Sequence, residues 1–158
     1  MQSYIVHPDI LMTPLDARLE SGYENIPTID IHMNQINFSR QFNAILEKYV
    51  SPVQEKLFIG HSEHPVDTFV SFVARYRPDE KASLPPHLDT SSYSINVALN
   101  RAGIDYEGGG TRFIRQNCSV TNTRQGWTLI HPGRVTHFHE GLPTTKNTRY
   151  ILVAFVKP

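Results

Sequence analysis

Apolar side chains change their spacing partway along this chain. Between residues 38 and 57 they fall at Phe38, Phe42, Ile45, Leu46, Tyr49, Val50, Val53 and Leu57. Steps of three and four predict a helix with one apolar stripe. Ser39 is the expected N-cap. Pro52 lacks an N–H and crowds the preceding turn, so it predicts a kink or a split. Beyond residue 67 the period drops to two. TFVSFVARY (68–76), YSINVAL (93–99), TRFIR (111–115), CSVTNT (118–123), WTLIH (127–131), VTHFH (135–139) and RYILVAFV (149–156) are short and rich in β-branched and aromatic residues. Gly, Pro and Asn separate them, and they predict strands. SYIVH (3–7) and TIDIHM (28–33) are further candidates near the start. Many short strands at close spacing predict a mainly β (α+β) fold, an antiparallel sandwich or jelly roll. The N-terminal helix would support one sheet's outer face.

The length of 158 residues suits one domain. Residues 1–66 are expected to form the helical support and 67–158 the catalytic core. Lys+Arg and Asp+Glu balance at 15 each, so no net field favours nucleic acid or an acidic membrane. No apolar run is long enough for a membrane span, and the opening MQSYIVHPDILM is not a signal peptide. Cys118 stands alone, which excludes an internal disulfide and a thiolate zinc cluster. It is expected to be a small buried hydrophobe, and Trp127 a core residue. The run EGGG (107–110) reads as a tight hairpin or bulge, because no helix carrying Lys-Ser/Thr follows it.

The chemistry gathers around PPHLD (85–89). On a strand, residues two apart share a face, so His87 and Asp89 are expected to point the same way. Farther on, HPGRVTHFHEGLPTTKNTRY offers His131, His137, His139 and then Arg149. Two histidines and one carboxylate on one octahedral face leave open positions, which oxygen chemistry needs. His137 and His139 compete for the third ligand, since both share a face of VTHFH by period two; the ten-residue spacing to Arg149 favours His139. A Gly-Pro turn between His139 and Arg149 would place them on adjacent antiparallel strands. A buried Arg149 there needs an anion, and a carboxylate fits its two-pronged fork. His7-Pro8-Asp9 repeats the His-x-Asp spacing without these companions. A zinc hydrolase is the rival reading of the triad, but it gives Arg149 no task.

Four segments carry a resemblance: GYENIPTIDIHMNQINF, FVARYRPDEKASLPPHLD, SINVALNRAGIDYEGGGTRF and GWTLIHPGRVTHFHEGLPTTKNTRYILVAF. From about Gly22 onward the chain resembles the C-terminal dioxygenase domain of procollagen-lysine 5-hydroxylases, giant-virus members included. The resemblance implies a double-stranded β-helix and Fe(II)- and 2-oxoglutarate-dependent hydroxylation of peptidyl lysine at C5 in collagen-like X-Lys-Gly sequences, with ascorbate as reductant. It implies His87, Asp89 and His139 as iron ligands and Arg149 as the 2-oxoglutarate arginine. It further implies Tyr76 and Asn96 beside the cosubstrate, a homodimer, and a secretory or endoplasmic-reticulum setting. It also implies that this is one domain of a longer enzyme. Prolyl 4-hydroxylase-like activity and a non-catalytic collagen-binding module are the alternatives. Asp79 and Glu80 are expected to receive the lysine ammonium. His131 and His137 are candidates for a second metal at a dimer axis. Many 2-oxoglutarate enzymes carry Ser or Thr two residues after the arginine; here that residue is Ile151, so the distal carboxylate needs another hydroxyl.

Overall fold

The structure is a computed structural model that describes residues 28–57 and 68–156. The candidates SYIVH and His7-Pro8-Asp9 lie outside those residues. The elements in chain order are β1 (Ile29–His32), α1 (Ser39–Ile45), a π-helical turn (Leu46–Val50), α2 (Ser51–Leu57), β2 (Thr68–Tyr76) and β3 (Leu84–His87). There follow β4 (Tyr93–Ala98), β5 (Tyr106–Gly108), β6 (Thr111–Phe113), β7 (Cys118–Val120), β8 (Thr128–Pro132), β9 (His139–Gly141), β10 (Thr144–Asn147) and β11 (Arg149–Val156). A five-stranded sheet has the order β1-β2-β11-β4-β8 and a four-stranded sheet the order β3-β9-β6-β7; β10 and β5 form a separate pair. All of these pairings are antiparallel. This is a jelly roll, as the strand spacing predicts.

The central strand β11 is buried on both faces. On one face Leu152, Ala154 and Val156 stand beside Val97, Ile95 and Tyr93 of β4. The helical segment packs there through Phe42 and Leu46, joined by Met33. On the other face Ile151 and Phe155 cluster with Phe72, Ala74 and Tyr76, and Leu84 of the smaller sheet packs against them. Each large apolar side chain buried this way contributes about 1.5–3 kcal/mol against exposure.

The helix departs from its simple reading in two ways. The N-cap is Phe38, without a side-chain cap bond, and Ser39 is the first helical residue. Pro52 does not end the helical run, which is divided into two α segments just before it. The turn before it widens to π geometry, and α2 starts at Ser51. A wider turn shifts the carbonyl that would meet the pyrrolidine ring. The stripe is also broader than the buried face: Ile45, Tyr49, Val53 and Leu57 are exposed.

VTHFH is not a strand. Val135 has φ +66, the chain bends over 134–136, and β9 begins only at His139. A β-branched residue in the left-handed region cannot continue an extended ladder. Cys118 is exposed. Trp127 is 54% exposed, with the Arg124 guanidinium 5.3 Å from its ring centroid; β8 starts one residue later, so the indole lies at a strand mouth. Strands β3, β5 and β10 went unread, because LPPH, YEG and TTKN carry Pro, Gly or polar residues where strand patterns want apolar ones.

Candidate active site

Register sets the interior wall. On the larger sheet Arg149 lies opposite Tyr76, Asn96 opposite Val153 and opposite Leu129, and Ser94 opposite His131. Residues opposite one another in an antiparallel pair point to the same face, so these polar groups share the inner side. On the smaller sheet His87 and Phe113 both lie opposite His139, and Thr111 opposite Gly141. His139 and Arg149 therefore come from two facing sheets, with β10 between them in sequence, and not from adjacent strands.

His87, Asp89 and His139 converge, each offering one ligand atom within 4.8 Å of the others. The carboxylate Oδ1 lies 3.3 Å from His87 Nε2 and 3.8 Å from His139 Nε2. β3 ends at His87, yet the alternation persists: Leu88 is 38% exposed while Asp89 is buried. His87 Nδ1 donates to the Pro85 carbonyl at 2.8 Å, and His139 Nδ1 to the His137 carbonyl at 2.8 Å. A carbonyl only accepts, so each Nδ1 carries a proton, and Nε2 is the nitrogen that can offer a lone pair to a metal. His137 thus serves the site through its backbone; its ring bonds Thr136 Oγ1 at 2.8 Å and stands outside the triad.

Burial pushes the Asp89 carboxyl up, but the adjoining His87 ring, the nearby His139, the Ser94 hydroxyl and His131 outweigh it and hold the group below the usual carboxylate range. Burial draws His139 below the ordinary histidine value, with Asp89 opposing. His131 is pulled down to about 4, chiefly by burial. Its Nδ1 donates to the Pro132 carbonyl at 2.9 Å, so its Nε2 accepts from Asn96 Nδ2 at 3.2 Å. Phe113 stands against all three rings, at centroid distances of 5.1 Å to His131, 5.5 Å to His137 and 5.8 Å to His139.

Arg149 is 7% exposed. Its guanidinium lies 5.6 Å from the Tyr76 ring centroid, a cation–π contact. Burial pushes the Tyr76 hydroxyl up to about 12 against the opposing Arg149 charge, so it stays protonated. No carboxylate of the described residues pairs with Arg149, although ion pairs hold Arg75, Arg77, Arg101 and Arg112. A cavity beside it is lined by Asn96, Thr111, Trp127, Leu129 and Ile151. Gly109, at φ +70, is required here: a Cβ would come within 2.9 Å of Arg149 Cδ.

Asp79 pairs with Arg77 at 2.7 Å and Glu80 with Arg75 at 2.9 Å. Some residues went unread. Ser91, Ser94, Thr111 and Phe113 had no sequence signal of their own. Ser94 had a positional one, five residues after Asp89 on a strand whose inner face includes Asn96.

The profile described as the 2OG-Fe(II) oxygenase superfamily matches residues 48–158. Procollagen-lysine,2-oxoglutarate 5-dioxygenase 1 of Bos taurus is 59% identical over 143 residues, 90% of this chain and 20% of that protein. Procollagen-lysine,2-oxoglutarate 5-dioxygenase of Drosophila melanogaster is 56% identical over 143 residues, again 90% of this chain and 20% of its own length. The chain thus spans about a fifth of these relatives. Among solved structures, a Pseudomonas putida prolyl-4-hydroxylase superposes with a TM-score of 0.58 at 17% identity, covering 89% of this chain and 81% of that one; this likeness speaks for the fold. The profile covers more than half of the sequence and includes all three triad residues and Arg149, and the chain belongs to the 2OG-Fe(II) oxygenase superfamily.

Proposed function

We propose that this chain hydroxylates peptidyl lysine at C5 in collagen-like X-Lys-Gly sequences, using Fe(II) and 2-oxoglutarate. The observation that carries the reading is a triad of two imidazoles and one carboxylate sharing an interior with a buried arginine that no described carboxylate neutralises. The lysine and its C5 position come from the names of the relatives.

The donor set fits Fe(II): two imidazole Nε2 lone pairs and one ionised carboxylate, with no thiolate. His87, Asp89 and His139 would hold it. When bound, it supplies dioxygen chemistry in which a lysine C–H becomes C–OH while 2-oxoglutarate gives succinate and carbon dioxide. Arg149 grips the far carboxylate of 2-oxoglutarate in its fork. Tyr76 keeps its proton and donates beside it. Asn96 spends one N–H on His131 and has a second to offer the cosubstrate. Ile151 has no hydroxyl, and Thr111 on the same cavity wall supplies one. The apolar sheet faces around these groups exclude water.

On the same resemblance, ascorbate restores Fe(II) after unproductive turnovers, the chain pairs as a homodimer, and the enzyme works in the secretory pathway. Among the described residues no helix is long and apolar enough to cross a membrane. Mass spectrometry of a collagen-like peptide carrying both Lys and Pro, after incubation with Fe(II), 2-oxoglutarate and ascorbate, tests the reading. One added oxygen on lysine is expected. Oxygen on proline would move the chain to prolyl hydroxylation. A peptide that binds unmodified would make it a collagen-binding module.

A further inference from the structure

The two oxygens of Asp89 have different surroundings. Oδ1 faces the Nε2 atoms of His87 and His139. Oδ2 accepts the hydroxyl of Ser94. Ser94 Oγ has one proton, and an ionised carboxylate can only accept, so that proton belongs to Asp89. The contact of 2.8 Å between Ser91 Oγ and Ser94 Oγ therefore runs from Ser91 to Ser94. The order of donation is Ser91, then Ser94, then Asp89 Oδ2. Both serines are fully buried, so water does not compete with this chain.

Two neighbours close the arrangement. His131 Nε2 stands 3.9 Å from Oδ2, but that nitrogen accepts from Asn96 and has no proton to give. Ser94 is then the side chain that holds Oδ2. Gly133 leaves room for Ser91: a Cβ there would collide with the Ser91 hydroxyl and backbone carbonyl. Gly133 N–H also bonds the Ser92 carbonyl at 3.1 Å, tying the turn after β8 to the turn before β4.

We propose that Ser94, oriented by Ser91 beneath Gly133, is a positioning residue that keeps Asp89 a one-oxygen ligand. The inference rests on reading His87, Asp89 and His139 as the Fe(II) site. Two imidazoles and one carboxylate oxygen use three of six octahedral positions. A carboxylate bound through both oxygens would use four and leave two. Two positions suffice for a chelating 2-oxo acid and leave none for a further reactant. Engaging Oδ2 with a hydroxyl thus reserves a position on the metal, and it does so without touching the metal.

Water-proton relaxation of the 158-residue chain, loaded with Mn(II) and saturated with 2-oxoglutarate, tests this without turnover, because it reads the water left on the metal. Three protein ligands and a chelating 2-oxo acid leave one of six positions, so the wild type is expected to keep an exchanging water there. Ser94→Ala frees Oδ2 and is expected to lose most of that relaxation while still binding Mn(II) and 2-oxoglutarate in calorimetry. Ser94→Thr keeps the hydroxyl and is expected to relax water as the wild type does. A Ser94→Ala protein that binds both ligands and relaxes water like wild type overturns the proposal. So does a Ser94→Ala protein that no longer binds Mn(II), which would make Ser94 a mere prop for the ligand. If Ser94→Ala does not fold, Ser91→Ala replaces it. That variant loosens Ser94 without removing its bond and is expected to lower the relaxation at saturating 2-oxoglutarate; unchanged relaxation overturns the proposal there too. A wild-type chain that binds no Mn(II) would instead refute the metal-site reading beneath it.

Discussion

At the scale of single residues, the site makes separable demands. Asp89→Ala removes the triad's only negative charge. Steady-state turnover is expected to fall below about a tenth of wild type, the least that loss of a metal ligand should cost at 1.4 kcal/mol per tenfold. Arg149→Lys keeps a charge and loses the fork, so the KM for 2-oxoglutarate is expected to rise while that for peptide stays within about twofold. An unchanged 2-oxoglutarate dependence would remove Arg149 from the cosubstrate site. The triad was legible in sequence because few residue types serve as ligands, and His87-x-Asp89 with a distant His139 and Arg149 is a sparse pattern. Ser94 was not, because serine is common and its role exists only once β4 fixes its face. His137 competed with His139 by spacing alone; what separates them is seen only in the fold, where the His137 ring bonds Thr136 and its carbonyl meets His139 Nδ1.

At the scale of elements, the glycine turn after β5 and the helix behind β11 carry different loads. Gly109→Ala would force a Cβ against Arg149 Cδ at positive φ. The guanidinium is expected to shift, raising the KM for 2-oxoglutarate by about tenfold or more, since misplacement by an ångström can cost that much. An unaltered KM would show that the turn yields and the arginine does not. Leu46, 1% exposed in the π-helical turn, packs on the outer face of the larger sheet. Leu46→Ala is expected to cost about 2–5 kcal/mol of stability in urea unfolding, with little change in KM for either substrate. Helix position and apolar stripe could be read from spacing. The π turn could not, since it is how the chain absorbs Pro52 and not a pattern in side chains. Long strands were read well; three- and four-residue strands such as β5 and β10 are defined by partners far away in sequence.

At the scale of the whole molecule, the site bridges the two sheets: His87 and His139 lie on or at the end of the smaller one, and Arg149, Tyr76 and Asn96 lie on the larger. Ligands that engage both should brace the roll. A melting curve with Mn(II) and 2-oxoglutarate each near a hundred times its Kd is expected to shift upward, because one such ligand contributes about 2.7 kcal/mol by mass action. Chelation should reverse the shift, and Asp89→Ala should abolish it. A melting point indifferent to metal would argue against the triad as a binding site. Strand β11 has a consequence for heredity. Its alternate residues answer to different masters: Leu152, Ala154 and Val156 to the helix, and Arg149 and Ile151 to the cavity. A library covering every codon of this strand, scored once for cellular abundance and once for turnover, would therefore separate into two interleaved phenotypes. Neighbouring alleles would fail for unrelated reasons, and a variant lost for abundance at 152 would be open to rescue by stabilising changes elsewhere, whereas one lost at 149 would not.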